Sequence, residues 1–167
     1  MLLSSSRLNS NTIPVTTWGM IELARDPALF QIVREEVLST YVTDPASGKR
    51  IIDAQKLVLL PVLQAVYIEL MRLHVSINIT REVMEPITMG GYKLEKGVLL
   101  QAPTEVAHYD ERIWSVEDHP ASEFWPGRHL EYETTRDVDG KETVTPKFVM
   151  TGRSNNFIPY GELRRRG

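Results

Sequence analysis

Apolar residues recur at helical spacing over three stretches of the first half of the chain. Ile13, Trp18, Met20, Ile21 and Leu23 predict a helix over roughly residues 11–25. Pro14 belongs either in its first turn or at a kink in a longer helix. Asp26-Pro27 interrupts the pattern, and Leu29, Phe30, Ile32, Val33, Val37 and Leu38 predict a second helix opening at Pro27. A turn cluster, Thr43-Asp44-Pro45-Ala46-Ser47-Gly48, separates this from the third helix, which starts at Pro61. There Val62, Leu63, Val66, Ile68, Leu70, Met71 and Leu73 lie on nearly every face, the pattern of an interior helix.

Beyond His74 the period shortens. Ile77, Ile79 and Val83 alternate with polar residues and predict a strand, and Val98–Gln101 predicts another. Between them, Gly90-Gly91 can supply the positive φ of a tight hairpin over 88–94. A brief helix is expected at Pro103-Thr104-Glu105, with Thr104 as its cap. From about residue 109 regular patterning fades into a coil carrying Trp114, Phe124 and Trp125, which packs down because exposing that much aromatic area is costly. Residues 131–147 are charged and read as an exposed hairpin-like insertion around Val138-Asp139-Gly140-Lys141. The fold class expected is mainly α with a small β-sheet, in one unit over 1–167.

Composition narrows the chemistry. A chain of 167 residues, 42% hydrophobic and 25% charged, has the make-up of a globular protein, and its length suits one domain. A net charge of −3 gives no global basic field, so no nucleic-acid partner is expected, and Arg164-Arg165-Arg166 reads as a solvated tail. No stretch of about 18 apolar residues exists to span a membrane. The chain has no cysteine, which excludes thiolate catalysis and thiolate metal sites within it. His74, His108, His119 and His129 form no zinc-ligand spacing and read as ordinary surface or core histidines.

One pair of charges stands out. Glu-x-x-Arg occurs four times, at Glu22/Arg25, Glu69/Arg72, Glu133/Arg136 and Glu162/Arg165, but only Glu69/Arg72 sits inside an apolar helix. Charges taken out of water must be paired. Either the two satisfy each other locally, or a third group from far along the chain completes a structural cluster.

The order of these pieces resembles the C-terminal part of a cytochrome P-450, the haem-thiolate monooxygenase family. Asn11-Thr12-Ile13-Pro14 stands where the family ends a long distal helix. Glu69-Leu70-Met71-Arg72 matches its E-x-x-R helix, and Phe124-Trp125-Pro126-Gly127-Arg128 its aromatic coil. Phe157-Ile158-Pro159-Tyr160-Gly161 opens its haem-facing loop. The branch it looks most like is a fungal one similar to sterol 7-hydroxylases and prostacyclin synthase.

The resemblance implies the C-terminal half of that fold, incomplete: end of the distal helix, E-x-x-R helix, small sheet and aromatic meander coil. It implies that Arg128 joins Glu69 and Arg72, one carboxylate having acceptor sites enough for two guanidiniums. It implies catalytic positions at Asn11 and Thr12, although asparagine cannot relay protons as an acid does; the alternative reading of Asn11 is a helix cap. Arg81 is expected to meet a haem propionate, against the alternative of a plain surface charge. Phe157 and Gly161 are expected beside haem, and residues 75–80 along a substrate pocket. Haem iron, an NADPH-dependent reductase, a small apolar substrate (sterol, fatty acid or secondary metabolite) and, for family members, an endoplasmic-reticulum anchor follow as expectations.

The chain departs from the family in one respect. The axial cysteine expected after Gly161 is missing, and 162–167 reads as an aberrant tail. Without a thiolate there is no axial electron donation to cleave dioxygen. The chain by itself is therefore expected to be inactive, with a non-catalytic relic or binding module of the same fold as the alternative. An unrelated α+β binding domain is the third reading, and it predicts that Glu69 and Arg128 lie far apart.

Overall fold

The computed structural model describes residues 4–136, 140–150, 153 and 156–159, with the side chains of 4–11 excepted. Its first element, α1 (Ser4–Arg25), extends further towards the N-terminus than the apolar pattern does, so Pro14 lies within the helix. Thr16 and Thr17 hydroxyls there donate to the carbonyls of Thr12 and Ile13 at 2.8 and 2.9 Å. Helix α2 (Pro27–Ser39) begins where Pro27 has no N–H to lose and the Asp26 carboxylate accepts the Leu29 N–H at 2.9 Å. A short hairpin of β1 (Tyr41–Thr43) and β2 (Arg50–Ile52) and the single turn α3 (Ala54–Leu57) lead to α4 (Pro61–His74).

Helix α4 is the hub, in contact with α1 and α2 and with elements from the second half of the chain. Its N-terminus carries no local side-chain cap. Instead Glu36, reaching over from α2, accepts the N–H groups of Val62 (3.1 Å) and Leu63 (3.0 Å). A carboxylate there satisfies two orphan donors and complements the positive helix end. Val33, Val62, Val66 and Leu70 form the buried core, with Val15, Leu23, Phe124 and Leu130 packed around it. The helix is not buried on every side, since Tyr67 is half exposed.

The small β structure follows in two antiparallel pairs. β3 (Asn78–Glu82) pairs with β6 (Leu99–Pro103), and between them β4 (Ile87–Met89) and β5 (Tyr92–Leu94) form a hairpin turning on Gly90 and Gly91, both at positive φ. Helix α5 (Thr104–His108) begins at the expected place, but Thr104 does not cap it. Its hydroxyl is turned inward and accepts the Ile77 N–H at 3.0 Å, tying α5 to the start of β3. Two short helical turns absent from the sequence pattern, α6 (Glu111–Trp114) and a 3₁₀ turn at Pro126–His129, punctuate the aromatic coil. Four-residue turns are too short to show a hydrophobic period. The long hairpin of β7 (Leu130–Arg136) and β8 (Glu142–Phe148) is exposed over most of its length.

Candidate functional site

Glu69 and Arg72 face one side of α4, and both are withdrawn from solvent, at 0% and 1% exposure. Arg72 closes a two-pronged bond on the carboxylate, Nε to Oε2 at 2.9 Å and Nη2 to Oε1 at 2.8 Å. Arg128, from the 3₁₀ turn, donates its Nε to the same Oε1 at 2.7 Å. The Trp125 backbone N–H reaches Oε1 at 3.1 Å, and His129 Nε2 reaches Oε2 at 3.0 Å. One carboxylate thus receives donors from two arginines, a histidine and the main chain.

The remaining guanidinium hydrogens explain why an irregular coil is ordered. Coil residues and the last turn of a helix have carbonyls that find no ladder partner, and burying them unpaired is costly. Arg72 donates to the carbonyls of His108 (2.7 Å), Ala121 (2.6 Å) and Glu123 (3.3 Å). Arg128 donates to those of Trp114, Pro120 (3.1 Å) and Glu123 (3.0 Å). Arg153 extends the pattern to the carbonyls of Ile113 (3.2 Å) and Arg128 (2.5 Å). The arginines take the place that a second strand has in a sheet.

Electrostatics follow from this arrangement. Burial pushes the Glu69 carboxyl up, but the hydrogen bonds from Arg72 and His129 and the charges of Arg72 and Arg128 outweigh it and hold its pKa at about 2. His129 is held below the ordinary imidazole value, chiefly by burial, against the opposing pull of Glu69. A neutral His129 donating from Nε2 to an ionised Glu69 satisfies both shifts, and it leaves the buried Nδ1 without a hydrogen-bond partner.

A largely apolar groove of about 640 Å³ runs between α1 and α4 and is lined also by residues 75–77. Thr12 is on its wall and exposed; the side chain of Asn11 lies outside the described residues. At one end, His74 stacks on Trp18 with ring centroids 4.3 Å apart and bonds Glu22 at 3.2 Å. Burial holds this imidazole below its ordinary value as well. Arg81 stands exposed on β3, with Nη1 2.8 Å from the Thr80 carbonyl, and borders a separate shallow pocket with Met84, Ile87 and Met89. Phe157 is half-buried against His108; Gly161 and 162–167 lie outside the described residues.

The structure therefore brings Glu69, Arg72 and Arg128 together, while Thr12, Arg81 and Phe157 occupy three separate places. Sequence reasoning missed His129, Arg153 and the Trp125 N–H. The one available signal was adjacency: His129 follows Arg128 directly in a coil full of aromatics. Among the described residues no group of three or more histidine, aspartate, glutamate or cysteine residues is placed to hold a metal ion, and no helix is long and apolar enough to cross a membrane.

Comparison with known proteins completes the picture. A family model described as Cytochrome P450 matches residues 10–162. Cytochrome P450 monooxygenase calL of Penicillium decumbens is 48% identical over 92% of this chain and 27% of its own length. Cytochrome P450 monooxygenase efuG of Hormonema carpetanum is 28% identical over 92% of the chain and 30% of its length. Oryzalexin E synthase of Oryza sativa subsp. japonica is 31% identical over 89% of the chain and 26% of its length. The chain thus spans less than a third of each of these relatives. With a family match running from within α1 to beyond the Phe157 segment, and nearly half of the aligned positions shared with one fungal monooxygenase, this chain belongs to the cytochrome P450 family.

Proposed function

We propose that these residues form the C-terminal part of a monooxygenase domain, building one wall of its haem and substrate pocket and the scaffold under it. In this reading α1 is the end of the distal helix, α4 the E-x-x-R helix and 109–129 the meander coil. The observation that carries it is the meeting of Glu69, Arg72 and Arg128, since an unrelated domain has no reason to bring Arg128 home to that carboxylate. The whole protein's reaction is then dioxygen-dependent hydroxylation of a small apolar substrate such as a sterol, fatty acid or secondary metabolite, with electrons from an NADPH-dependent reductase. The groove between α1 and α4 supports this by its apolar lining.

The residues present fit haem only in part. The groove offers an apolar wall, Thr12 and Asn11 are assigned to the distal side, Arg81 to a propionate, and Phe157 and Gly161 to the haem-facing loop. No axial ligand fits. The chain contains no cysteine, and the four histidines are engaged with Glu22, Ile158, Glu123 and Glu69. Haem, when bound, supplies the oxygen chemistry; thiolate ligation needs a residue outside these 167. The chain alone is accordingly inactive, and that same absence favours, as a second reading, a non-catalytic module of the same fold.

Titrating the purified chain with haemin and recording the reduced carbon monoxide spectrum tests both readings. No thiolate-type band is expected, and its appearance overturns the inactivity. Stable haem with a histidine-type spectrum favours the binding module. Sequencing the transcript past the Gly161 codon tests the parent activity: an in-frame cysteine downstream supports it, and a transcript without one removes it.

A further inference from the structure

The N–H groups of Asn156 and Phe157 both donate to the Arg153 carbonyl and Pro159 has none, so the next backbone donor along the segment is the N–H of Ile158. It is met by a side chain fifty positions earlier: His108 Nε2 lies 3.1 Å away. The Phe157 ring packs against the same imidazole with centroids 5.8 Å apart and planes inclined by 27°. His108 is at 0% exposure, and its own carbonyl takes the 2.7 Å bond from Arg72 Nη1. A backbone N–H can only donate, so Nε2 must be unprotonated and the imidazole proton must sit on Nδ1, which is buried without a hydrogen-bond partner as the His129 Nδ1 is.

We infer that His108 is a positioning residue, whose neutral imidazole pins the Phe157–Pro159 segment beside the Glu69–Arg72 cluster. Histidine suits the place for three reasons. It offers an acceptor without adding a negative charge, it presents a ring for Phe157, and it lies beside a guanidinium that disfavours a second cation. Burial first, and then the charge of Arg72, hold its pKa below the ordinary imidazole value, with the Arg72 and Val75 carbonyls opposing. Arg72 on α4 is the charged group facing it; Phe157 and Ile158 bring none. The consequence for haem, a loop held in register, rests on the proposed function above; the pinning itself does not.

Nitrogen NMR of the 167-residue chain is expected to show His108 in the Nδ1–H form, with the Ile158 amide protected from exchange. In His108→Phe, which keeps a ring but no acceptor, Ile158 exchange relative to Phe157 rises about tenfold. His108→Gln, whose side-chain oxygen can accept the same bond, keeps it near the wild-type value. Acidification through the imidazole pKa raises the relative exchange in the wild type and not in His108→Gln. An Nε2–H tautomer, or equal Ile158 protection in the Phe and Gln variants, overturns the inference; should His108→Phe fail to fold, the tautomer alone decides. Pinning as expected in a chain that never takes up haem, even when extended by a cysteine-bearing loop, leaves the latch standing and removes the haem reading.

Discussion

Arg128 lies 59 residues beyond Glu69 in the chain, yet its Nε sits 2.7 Å from the Glu69 carboxylate, with both side chains fully withdrawn from water. That contact sews the aromatic coil onto α4.

Glu69→Ala is therefore expected to be far more damaging than a truncation at the surface. It leaves the Arg72 and Arg128 guanidiniums facing each other without their anion, a change that costs about 3–5 kcal/mol at a buried pair. Near-ultraviolet circular dichroism and thermal melts should show loss of the cooperative transition. Glu133→Ala, which breaks the exposed 2.6 Å pair with Lys147, serves as the control and should melt like the parent. Equal melting of the two variants would show that the cluster carries no structural weight.

Glu36→Ala removes a cap that lies 26 residues before the first N–H it satisfies. The expected loss is about 1 kcal/mol, since two N–H groups at the start of α4 are left to water. Urea denaturation reads it directly. Glu36→Gln, which keeps an acceptor, should recover part of the loss, and no difference between the two would remove the capping role.

Two glycines respond differently to alanine. A Cβ on Gly127 would lie 2.5 Å from two carbons of the Trp125 indole, so the ring or the 3₁₀ turn must shift, at about 1–3 kcal/mol. A Cβ on Gly19 meets only the Leu70 Cδ1 at 3.1 Å, a contact relieved by a shift of a few tenths of an ångström, about offset by the helix propensity that favours alanine by about 0.5–1 kcal/mol. Gly127→Ala should lower the melting point and shift tryptophan fluorescence; Gly19→Ala should do neither.

Acid should lower the stability of the chain over two successive pH ranges. His74, His108 and His129 are held below the ordinary value of 6.5, so the unfolded chain binds protons first and stability falls as pH drops below about 6.5 towards their folded values. Glu69 at about 2, against an ordinary 4.5, contributes stability that is complete above about pH 4.5 and fades as pH falls towards 2. Melting points taken from pH 7 to 3 check this. A flat profile between pH 6.5 and 5 would remove the histidine contribution and leave only the lower range.

Much of the architecture was legible because it is written locally. Helical spacing in α2 and α4, alternation in β3, and Gly90-Gly91 at the hairpin are each settled within a few residues. The apolar setting of Glu69 and Arg72 likewise signalled a buried charge needing partners, and the family pattern pointed to Arg128. The helical part of the coil was not legible, since α6 and the 3₁₀ turn are shorter than one hydrophobic period.

What sequence alone determined about this protein is its longer helices, the alternation of β3 and the Gly90-Gly91 hairpin, its family and the presence of one interior carboxylate. Tertiary structure decided who serves that carboxylate and what holds the coil: His129, the Trp125 N–H, Glu36 on the end of α4, and Arg153 and His108 on the final segment. The reason is physical. Periodicity and propensity act between neighbours in sequence, whereas a buried polar atom is satisfied by whichever group packing brings within about 3 Å of it, however far along the chain.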